Sequence, residues 1–121
     1  MGSFLIVGGS SDIGILLTKR LVEEGNKVTL LVRDESRVSD LPEDMVERFV
    51  GDANNEDLVL AAVQSCITSG EGAIGGVAHL VGSFSVRPPH AMNRESFEEV
   101  LSTNLTSAFV TLSAVSYTHL T

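Results

Sequence analysis

Apolar residues follow two different periods along the chain, and the two periods alternate. Short, predominantly apolar runs, typical of strands buried on both faces of a parallel sheet, occur at residues 4–7, 28–32, 48–50 and 76–81. Residues 34–44 are polar instead, and we expect them to form a loop with at most a weak helix. The pattern therefore predicts four strands.

Helical spacing fills the segments between and after these strands. The first predicted helix stops at Gly25 and Asn26, the second follows an Asn55 cap over residues 56–69, and the third covers about 94–116. The positions expected to face a core are, helix by helix, Ile13, Leu16, Leu17 and Leu21; Leu58, Ala62 and Cys66; and Phe97, Leu101, Leu105, Phe109 and Leu112.

Strands that alternate with helices predict an α/β fold, because parallel strands need helical crossovers between them. We expect a three-layer α/β/α, Rossmann-like, doubly wound parallel sheet that is truncated after about four strands. Right-handed crossovers place the first two connections on one side of the sheet. With 121 residues, the chain has room for a single domain.

Composition narrows the classes of partner. The net charge of -8 argues against nucleic acid and against anionic membranes, since both attract basic surfaces. No apolar run is as long as a membrane span, the first residues lack a signal-peptide pattern, and no spacing indicates a metal site. The single cysteine, Cys66, fits a reducing compartment and is expected to be a buried apolar residue. We therefore expect a cytoplasmic protein with no nucleic-acid or membrane partner.

A glycine-rich segment separates the first predicted strand from the first predicted helix. Its residues are Val7, Gly8, Gly9, Ser10, Ser11, Asp12, Ile13 and Gly14. Gly8 permits a tight turn, Gly9 and Ser10 keep the backbone uncrowded, and Gly14 lets the helix pack closely. Backbone N–H groups at a helix N-terminus bind a pyrophosphate, so this segment predicts a dinucleotide site. The alternative is a strand-to-helix turn that needs glycine for its geometry alone.

This segment resembles the TGxxxGxG loop of the short-chain dehydrogenase/reductase family, in its single-domain branch. Val7 stands where the family usually has threonine, and Asp12 stands where it has its middle glycine. The resemblance implies an NAD(P)-dependent oxidoreductase that acts on a small carbonyl or alcohol substrate. Asp12 is expected to cap the helix by accepting from its free N–H groups.

Arg33 follows the second predicted strand directly. In dinucleotide folds an acid near this point binds the ribose 2′-hydroxyl of NAD, whereas an arginine accommodates the 2′-phosphate of NADP. Arg33 therefore favours NADP, with Asp34 as the competing indication for NAD. Arg33 as a solvated loop charge is the alternative.

Three further positions match the family's cofactor site. The resemblance places Asp52 near the adenine ring, and Ala53 takes the position of the hydrophobic residue that usually follows; Asp52 as a simple turn residue is equally compatible. Gly82 ends the segment that corresponds to the family's NNAG, where it lets the cofactor approach the backbone. His79 replaces an asparagine there and is expected to be structural.

Asn104 matches the asparagine of the family's catalytic tetrad, which by resemblance holds a water in the proton relay and distorts its helix. A surface-facing asparagine is the alternative. The family's serine and Tyr-x-x-x-Lys have no counterpart, because the fourth residue after Tyr117, the single tyrosine, is Thr121. We therefore expect these 121 residues alone to be inactive. The resemblance also implies that the parent protein is a homodimer or homotetramer.

Residues 115–120 resemble the translation of a transposon-end adapter. We therefore expect residues 1–114 to be the N-terminal part of an NAD(P)-binding Rossmann domain and residues 115–121 to be a non-native tail. Two other functions stay open: a non-catalytic NAD(P)-binding or redox-sensing module, and an interaction domain with an empty Rossmann fold.

Overall fold

The computed structural model describes residues 2–81 and 93–119, with the backbone alone for residues 97 and 117–119. Its elements in chain order are β1 (Ser3–Val7), α1 (Asp12–Glu23), β2 (Lys27–Val32), a 3-10 helix (Glu35–Val38), β3 (Val46–Val50), α2 (Glu56–Ser69), β4 (Gly76–His79), α3 (Arg94–Leu101), a π-helical segment (Ser102–Thr106) and α4 (Ser107–His119). The predicted order of strands and helices is confirmed. β3 begins two residues earlier than predicted, and β4 ends two residues earlier.

The four strands form one parallel sheet in the order β3-β2-β1-β4. The chain moves outward from β1 to β3 and then returns to the other side of β1 as β4. Val7, at the end of β1, lies beside Leu31 on one side and His79 on the other. A reversal of strand order opens a crevice at the carboxyl ends of the strands. The predicted Rossmann-like fold is confirmed.

Alternate side chains of the central strands build a core on each face of the sheet. Val7 and Leu31 pack with α2 and α4, whereas Ile6 and Leu30 pack with α1 and with Leu41 of the β2–β3 connection. The first two connections thus share one face, and α2 lies on the other. This is the expected three-layer arrangement.

The predicted end of α1 and the predicted start of α2 are both fixed by hydrogen bonds. The amides of Gly25 and Asn26 each donate to a carbonyl in the last turn of α1 at 3.0 Å, which forms a Schellman end. The Asn55 side chain accepts from the Leu58 amide at 3.1 Å and caps α2. These hydrogen bonds fix the residue at which α1 ends and the residue at which α2 begins.

The predicted core face of α1 is wrong in part. Ile13 and Leu16 are 67% and 68% exposed, whereas Gly14 and Thr18 are buried. The Thr18 hydroxyl donates to the Gly14 carbonyl at 2.7 Å, so the buried hydroxyl is satisfied within the helix. Small residues face inward because α1 approaches the glycine-rich turn closely. On α2, by contrast, Ala62 and Cys66 are fully buried as predicted.

The last predicted helix is divided by the π-helical segment. A π turn holds more residues than an α turn, so it changes which face of α4 meets the core. The predicted stripe is wrong, since its described members are exposed: Leu101 (42%), Leu105 (62%), Phe109 (66%) and Leu112 (66%). The buried residues are smaller and include Ser107, Val110, Thr111 and Ala114.

Cys66 lies in the core between α2 and the sheet. Its side chain is fully buried, and Sγ lies 3.2 Å from the Ser3 hydroxyl oxygen. Burial raises the pKa of the Cys66 thiol. It is therefore the apolar core residue that the sequence predicted. Across residues 2–81 and 93–119, no helix combines the length and apolar character needed to cross a bilayer.

Candidate functional site

The turn between β1 and α1 is shaped by Gly8. Its φ of 87° lies in the region that favours glycine. The amides of Gly8 and Gly9 donate to the Leu31 carbonyl at 2.9 and 3.3 Å. A Cβ on Gly8 would lie 3.0 Å from the Leu80 carbonyl carbon. The chain therefore turns sharply where β1 ends, held against β2 and close to the residue after β4.

Gly9 and Gly14 let α1 approach this turn. A Cβ on Gly14 would lie 2.9 Å from the backbone of Gly9, and a Cβ on Gly9 would lie 2.6 Å from Leu30 Cδ2. Both distances are shorter than the contacts that Cβ atoms make in folded proteins. The start of the helix therefore packs directly on the backbone of the turn, and the turn packs on a side chain of β2.

The start of α1 offers unused backbone donors. The Ser11 hydroxyl caps the helix by accepting from the Gly14 amide at 3.1 Å. Within the described residues, the amides of Ser10, Asp12 and Ile13 make no hydrogen bond. Free N–H groups at a helix N-terminus, aided by the helix dipole, attract an anion. This part of the chain can therefore accept a pyrophosphate.

The prediction that Asp12 caps α1 is wrong. Ser11 occupies the cap position, and Asp12 is the first residue of the helix. Its Oδ1 accepts instead from Arg37 Nη2 at 2.7 Å, and the two side chains are 89% and 49% exposed, respectively. The carboxylate therefore leaves the helix amides free.

Two arginines follow β2 and line the cleft above the sheet, Arg33 and Arg37. Asp34 caps the 3-10 helix, where its carboxylate accepts from the Ser36 hydroxyl at 2.6 Å and the Ser36 amide at 3.0 Å. These hydrogen bonds lower the pKa of Asp34. The acid that indicated NAD is thus engaged within its own turn, whereas Arg33 and Arg37 both line the cleft.

The loop between β3 and α2 forms a second wall. The Asp52 carboxylate accepts from the Asn54 amide at 2.8 Å, so Asp52 is a turn residue that also lines the cleft. Ala53 is 6% exposed and lies beside it. Asn54 Nδ2 donates to the Ser102 hydroxyl at 2.8 Å, while its buried Oδ1 has no partner within the described residues. This bond fastens the loop to the π-helical segment.

These walls enclose a cleft of about 550 Å³ at the carboxyl edge of the sheet. It brings together six of the predicted cofactor residues: Gly8, Ser10, Ser11, Arg33, Asp52 and Ala53. The polar and charged lining residues that sequence reasoning missed are Arg37, Asn54, Glu99, Ser102, Thr103 and Ser107. The sequence did contain a signal for Arg37. It lies four residues after Arg33, so in a helical segment the two side chains would lie on the same face. Gly82 lies outside the described residues.

Asn104 lies at the centre of the π-helical segment. Its side chain is half-buried, and Nδ2 donates to the Val100 carbonyl at 2.9 Å. π segments interrupt α-helices mostly as single turns and often at functional sites. Its neighbours Ser102 and Thr103 line the cleft. The local helix distortion expected at this position is therefore a π turn at the edge of the site.

His79 connects the end of β4 to α4. Its Nε2 lies 3.2 Å from the Ser107 hydroxyl oxygen, and its Nδ1 lies 3.5 Å from that of Thr111. The Ser107 hydroxyl donates to the Thr103 carbonyl, so its oxygen accepts from the imidazole. Nε2 is therefore the donor to Ser107. This fits the structural role predicted for His79.

We expect the free energy of unfolding to fall as the pH drops below about 6.5, because burial lowers the pKa of His79 from its ordinary value of 6.5. Between the folded and unfolded pKa values, the unfolded chain binds more protons, so acid favours unfolding. Urea denaturation across this range checks the effect. A His79→Gln variant should lose part of the pH dependence, and an identical dependence in both proteins would contradict the assignment.

Within the described residues, no group of three or more His, Cys, Asp or Glu side chains is arranged to hold a metal ion. The strand order, the glycine turn and the helix N-terminus over the carboxyl edge define the class of dinucleotide-binding Rossmann domains. The short chain dehydrogenase family model matches residues 3–120, and the chain belongs to this family of NAD(P)-binding oxidoreductases.

Two curated relatives illustrate the similarity. Ipsdienol dehydrogenase of Ips pini is 35% identical over 81 residues, which are 67% of this chain and 31% of that protein. The 3-oxoacyl-(acyl-carrier-protein) reductase MabA of Mycobacterium tuberculosis is 31% identical over 109 residues, which are 88% of this chain and 41% of that protein. The chain spans less than half the length of these relatives.

Solved structures show the same fold. A short-chain type dehydrogenase/reductase from Mycobacterium ulcerans superposes with a TM-score of 0.84 at 21% identity, over 95% of this chain and 45% of that one. The 3-ketoacyl-(acyl-carrier-protein) reductase from Brucella melitensis complexed with NADH gives a TM-score of 0.80 at 18% identity, over 95% and 49%.

Proposed function

We propose that the chain is the cofactor-binding part of an NADP-dependent oxidoreductase, which transfers hydride between NADP(H) and a small carbonyl or alcohol substrate. The observation that carries this proposal is the pair of arginines that follow β2 and line the cleft. Arg33 and Arg37 line the cleft, while the Asp34 carboxylate is engaged with Ser36. A free, buried Cys66 as the sole cysteine supports a cytoplasmic location.

The cleft residues divide the cofactor between them. The amides of Asp12 and Ile13 and the Ser10 backbone hold the pyrophosphate at the start of α1. Asp52 and Ala53 flank the adenine. Arg33 pairs with the 2′-phosphate, for which a planar guanidinium is well suited. Gly9 and Gly14 keep the turn close to α1, and Gly82 is assigned to the cofactor-binding residues by the family resemblance of its segment alone.

The bound nicotinamide supplies the hydride, and the chain supplies position and proton transfer. Asn104 is the catalytic residue in this proposal; its amide, held by the Val100 carbonyl, keeps a water in the proton relay. Proton exchange with the substrate needs a further acid–base group. A tyrosine of ordinary pKa, about 10, serves poorly at neutral pH without a neighbouring lysine. We therefore expect these 121 residues alone to bind cofactor but not to turn over substrate.

Replacing Arg33 tests the cofactor preference. We expect Arg33→Gln to weaken NADPH binding by about tenfold or more, since a charge-assisted hydrogen bond contributes roughly 1.5–3 kcal/mol. NADH, which has no 2′-phosphate, should bind almost unchanged. Isothermal titration of both cofactors measures the two dissociation constants. Equal weakening of NADPH and NADH would contradict the role of Arg33.

A non-catalytic NAD(P)-binding or redox-sensing module is the second candidate. Asp12 in place of the family's glycine, and His79 and Leu80 in place of its asparagines, favour this candidate. Genomic or transcript sequence that continues past residue 114 discriminates the two. A serine with Tyr-x-x-x-Lys favours the enzyme, and their absence favours the sensor. The same sequence tests whether residues 115–121, which continue α4 to His119, are a non-native tail.

We also propose that the protein is a homodimer or homotetramer whose subunits meet through the exposed face that α3, the π-helical segment and α4 share. The exposed stripe of Leu101, Leu105, Phe109 and Leu112 is an apolar surface of the kind that partner subunits cover. We expect light scattering to show a dimer or larger assembly that Leu105→Glu disrupts. Leu16→Glu, at a similarly exposed leucine of α1 on the opposite face of the sheet, is the matched control. A monomeric wild-type chain would contradict the proposal.

A further inference from the structure

An ion pair joins the two elements that border the mouth of the cleft. Asp12 is the first residue of α1, which follows β1, and Arg37 lies in the 3-10 helix that follows β2. The Asp12 carboxylate and the Arg37 guanidinium are 2.7 Å apart. Because β1 and β2 are neighbours in the sheet, the pair spans two adjacent strand ends. Arg37 lines the cleft beside Arg33.

The pair occupies only part of the Arg37 guanidinium. Asp12 Oδ1 contacts Nη2, and within the described residues Nε and Nη1 have no hydrogen-bond partner. A guanidinium carries its donors in a flat fork that can serve two anions at once. The Arg37 side chain is 49% exposed, so the unused donors are accessible. Arg37 can therefore bind an anion in the cleft while Asp12 keeps its contact.

The contribution of this pair to the stability of the fold is small, because Asp12 is 89% exposed and water screens the charges. Its main effect is on orientation. A free arginine side chain samples many rotamers and loses that freedom when it binds a ligand. An arginine already held at one end loses less, and so binds more tightly.

We propose that Arg37 binds the 2′-phosphate of NADP together with Arg33, and that Asp12 is a positioning residue that holds Arg37 over the cleft. This inference rests on the proposed NADP-dependent function and assigns the aspartate in the glycine-rich turn a role in specificity. Asp12 also repels the pyrophosphate, but that effect is shared by NADH and NADPH. The ratio of their dissociation constants therefore isolates the action through Arg37.

The test is titration of NADPH and NADH into the full 121-residue chain and its variants by calorimetry. We expect Arg37→Gln to reduce the preference for NADPH by about tenfold, as expected for the loss of a charge-assisted contact. Asp12→Asn should reduce the preference about threefold, and it should have no further effect in the Arg37→Gln background. Asp12→Glu, which keeps the carboxylate, should retain most of the preference.

Controls separate this inference from the function on which it rests. Arg20 is an exposed α1 arginine that lies 3.9 Å from Glu24 and does not line the cleft, so Arg20→Gln should leave the ratio unchanged. Circular dichroism verifies that each variant folds. If the wild type prefers NADPH and Arg37→Gln has the same preference, the role of Arg37 is overturned and the proposed function stands. A preference that rises in Asp12→Asn also overturns it. If the wild type binds neither cofactor, both fail.

Discussion

Gly14→Ala should weaken the binding of NADPH and NADH alike by at least about tenfold and lower the free energy of unfolding by about 1–3 kcal/mol. The new methyl carbon would lie 2.9 Å from the Cα, C and O atoms of Gly9. These are backbone atoms, which cannot swing aside as the end of a side chain can. The turn must therefore move, and the free amides of Asp12 and Ile13 move with it.

A second glycine provides the matched control for this change. Gly72 has a φ of 101°, but no atom lies within 4 Å of a Cβ built on it. Gly72→Ala should therefore cost about 1 kcal/mol of stability through backbone strain alone and leave both dissociation constants unchanged. Calorimetric titration and urea denaturation of the two variants separate the effects. Wild-type affinity in Gly14→Ala would rule out the close packing as a determinant of the site.

Arg48→Met should lower the free energy of unfolding by about 2–4 kcal/mol. The half-buried Arg48 guanidinium donates to the carbonyls of Val38 (2.8 and 3.1 Å), Leu41 (2.6 Å) and Val46 (3.1 Å). Methionine keeps much of the apolar stem but leaves all three carbonyls without this donor. Because Val38 ends the 3-10 helix that contains Arg37, NADPH affinity should fall as well.

Lysine at the same position refines this prediction. Arg48→Lys keeps the charge, but an ammonium group at one point cannot reach three carbonyls, so we expect an intermediate loss of stability. Arg94→Met removes an exposed ion pair with Glu98 at 2.8 Å and should change the stability by less than about 0.5 kcal/mol. Urea denaturation measures all three. A change in Arg48→Met as small as that in Arg94→Met would contradict the account.

The fold could be predicted because its signals are local. A continuous apolar run such as 28–32 identifies a buried parallel strand wherever it lies in the sheet, and β2 covers Lys27–Val32. Gly8 marks the sharp turn after β1 by its residue type, and the Asn55 cap depends on an amide three residues away. Right-handed crossovers then leave few topologies, which is why the shared face of the first two connections was predictable.

The errors concern choices that local patterns leave open. Ser11 and Asp12 are adjacent and both favour the cap position, so a shift of one residue decided whether Asp12 met the helix amides or Arg37. An apolar stripe such as Leu105 and Phe109 has the same period whether it faces the core or the outside. The π turn rotates the later residues of the helix, so the predicted stripe faces outward. No local sequence signal gave the length of this turn.

The pairing of Asp12 with Arg37 was beyond sequence reasoning for a different reason. The two residues are 25 positions apart, and they meet because β1 and β2 are neighbours whose following turns converge. The position of Asn54 beside Ser102, 48 residues later, has the same origin. Sequence analysis located the residues of each turn but not the contacts between turns.

We propose that the cleft above the carboxyl edge of the sheet binds a dinucleotide with a 2′-phosphate. Heteronuclear NMR of the labelled chain during titration with NADPH and then NADH tests this proposal. We predict that amide shifts concentrate at residues 8–14, 33–37 and 52–54 for both cofactors, and that the 33–37 group responds strongly only to NADPH. Shifts confined to other surfaces, or no response to either cofactor, would contradict the account.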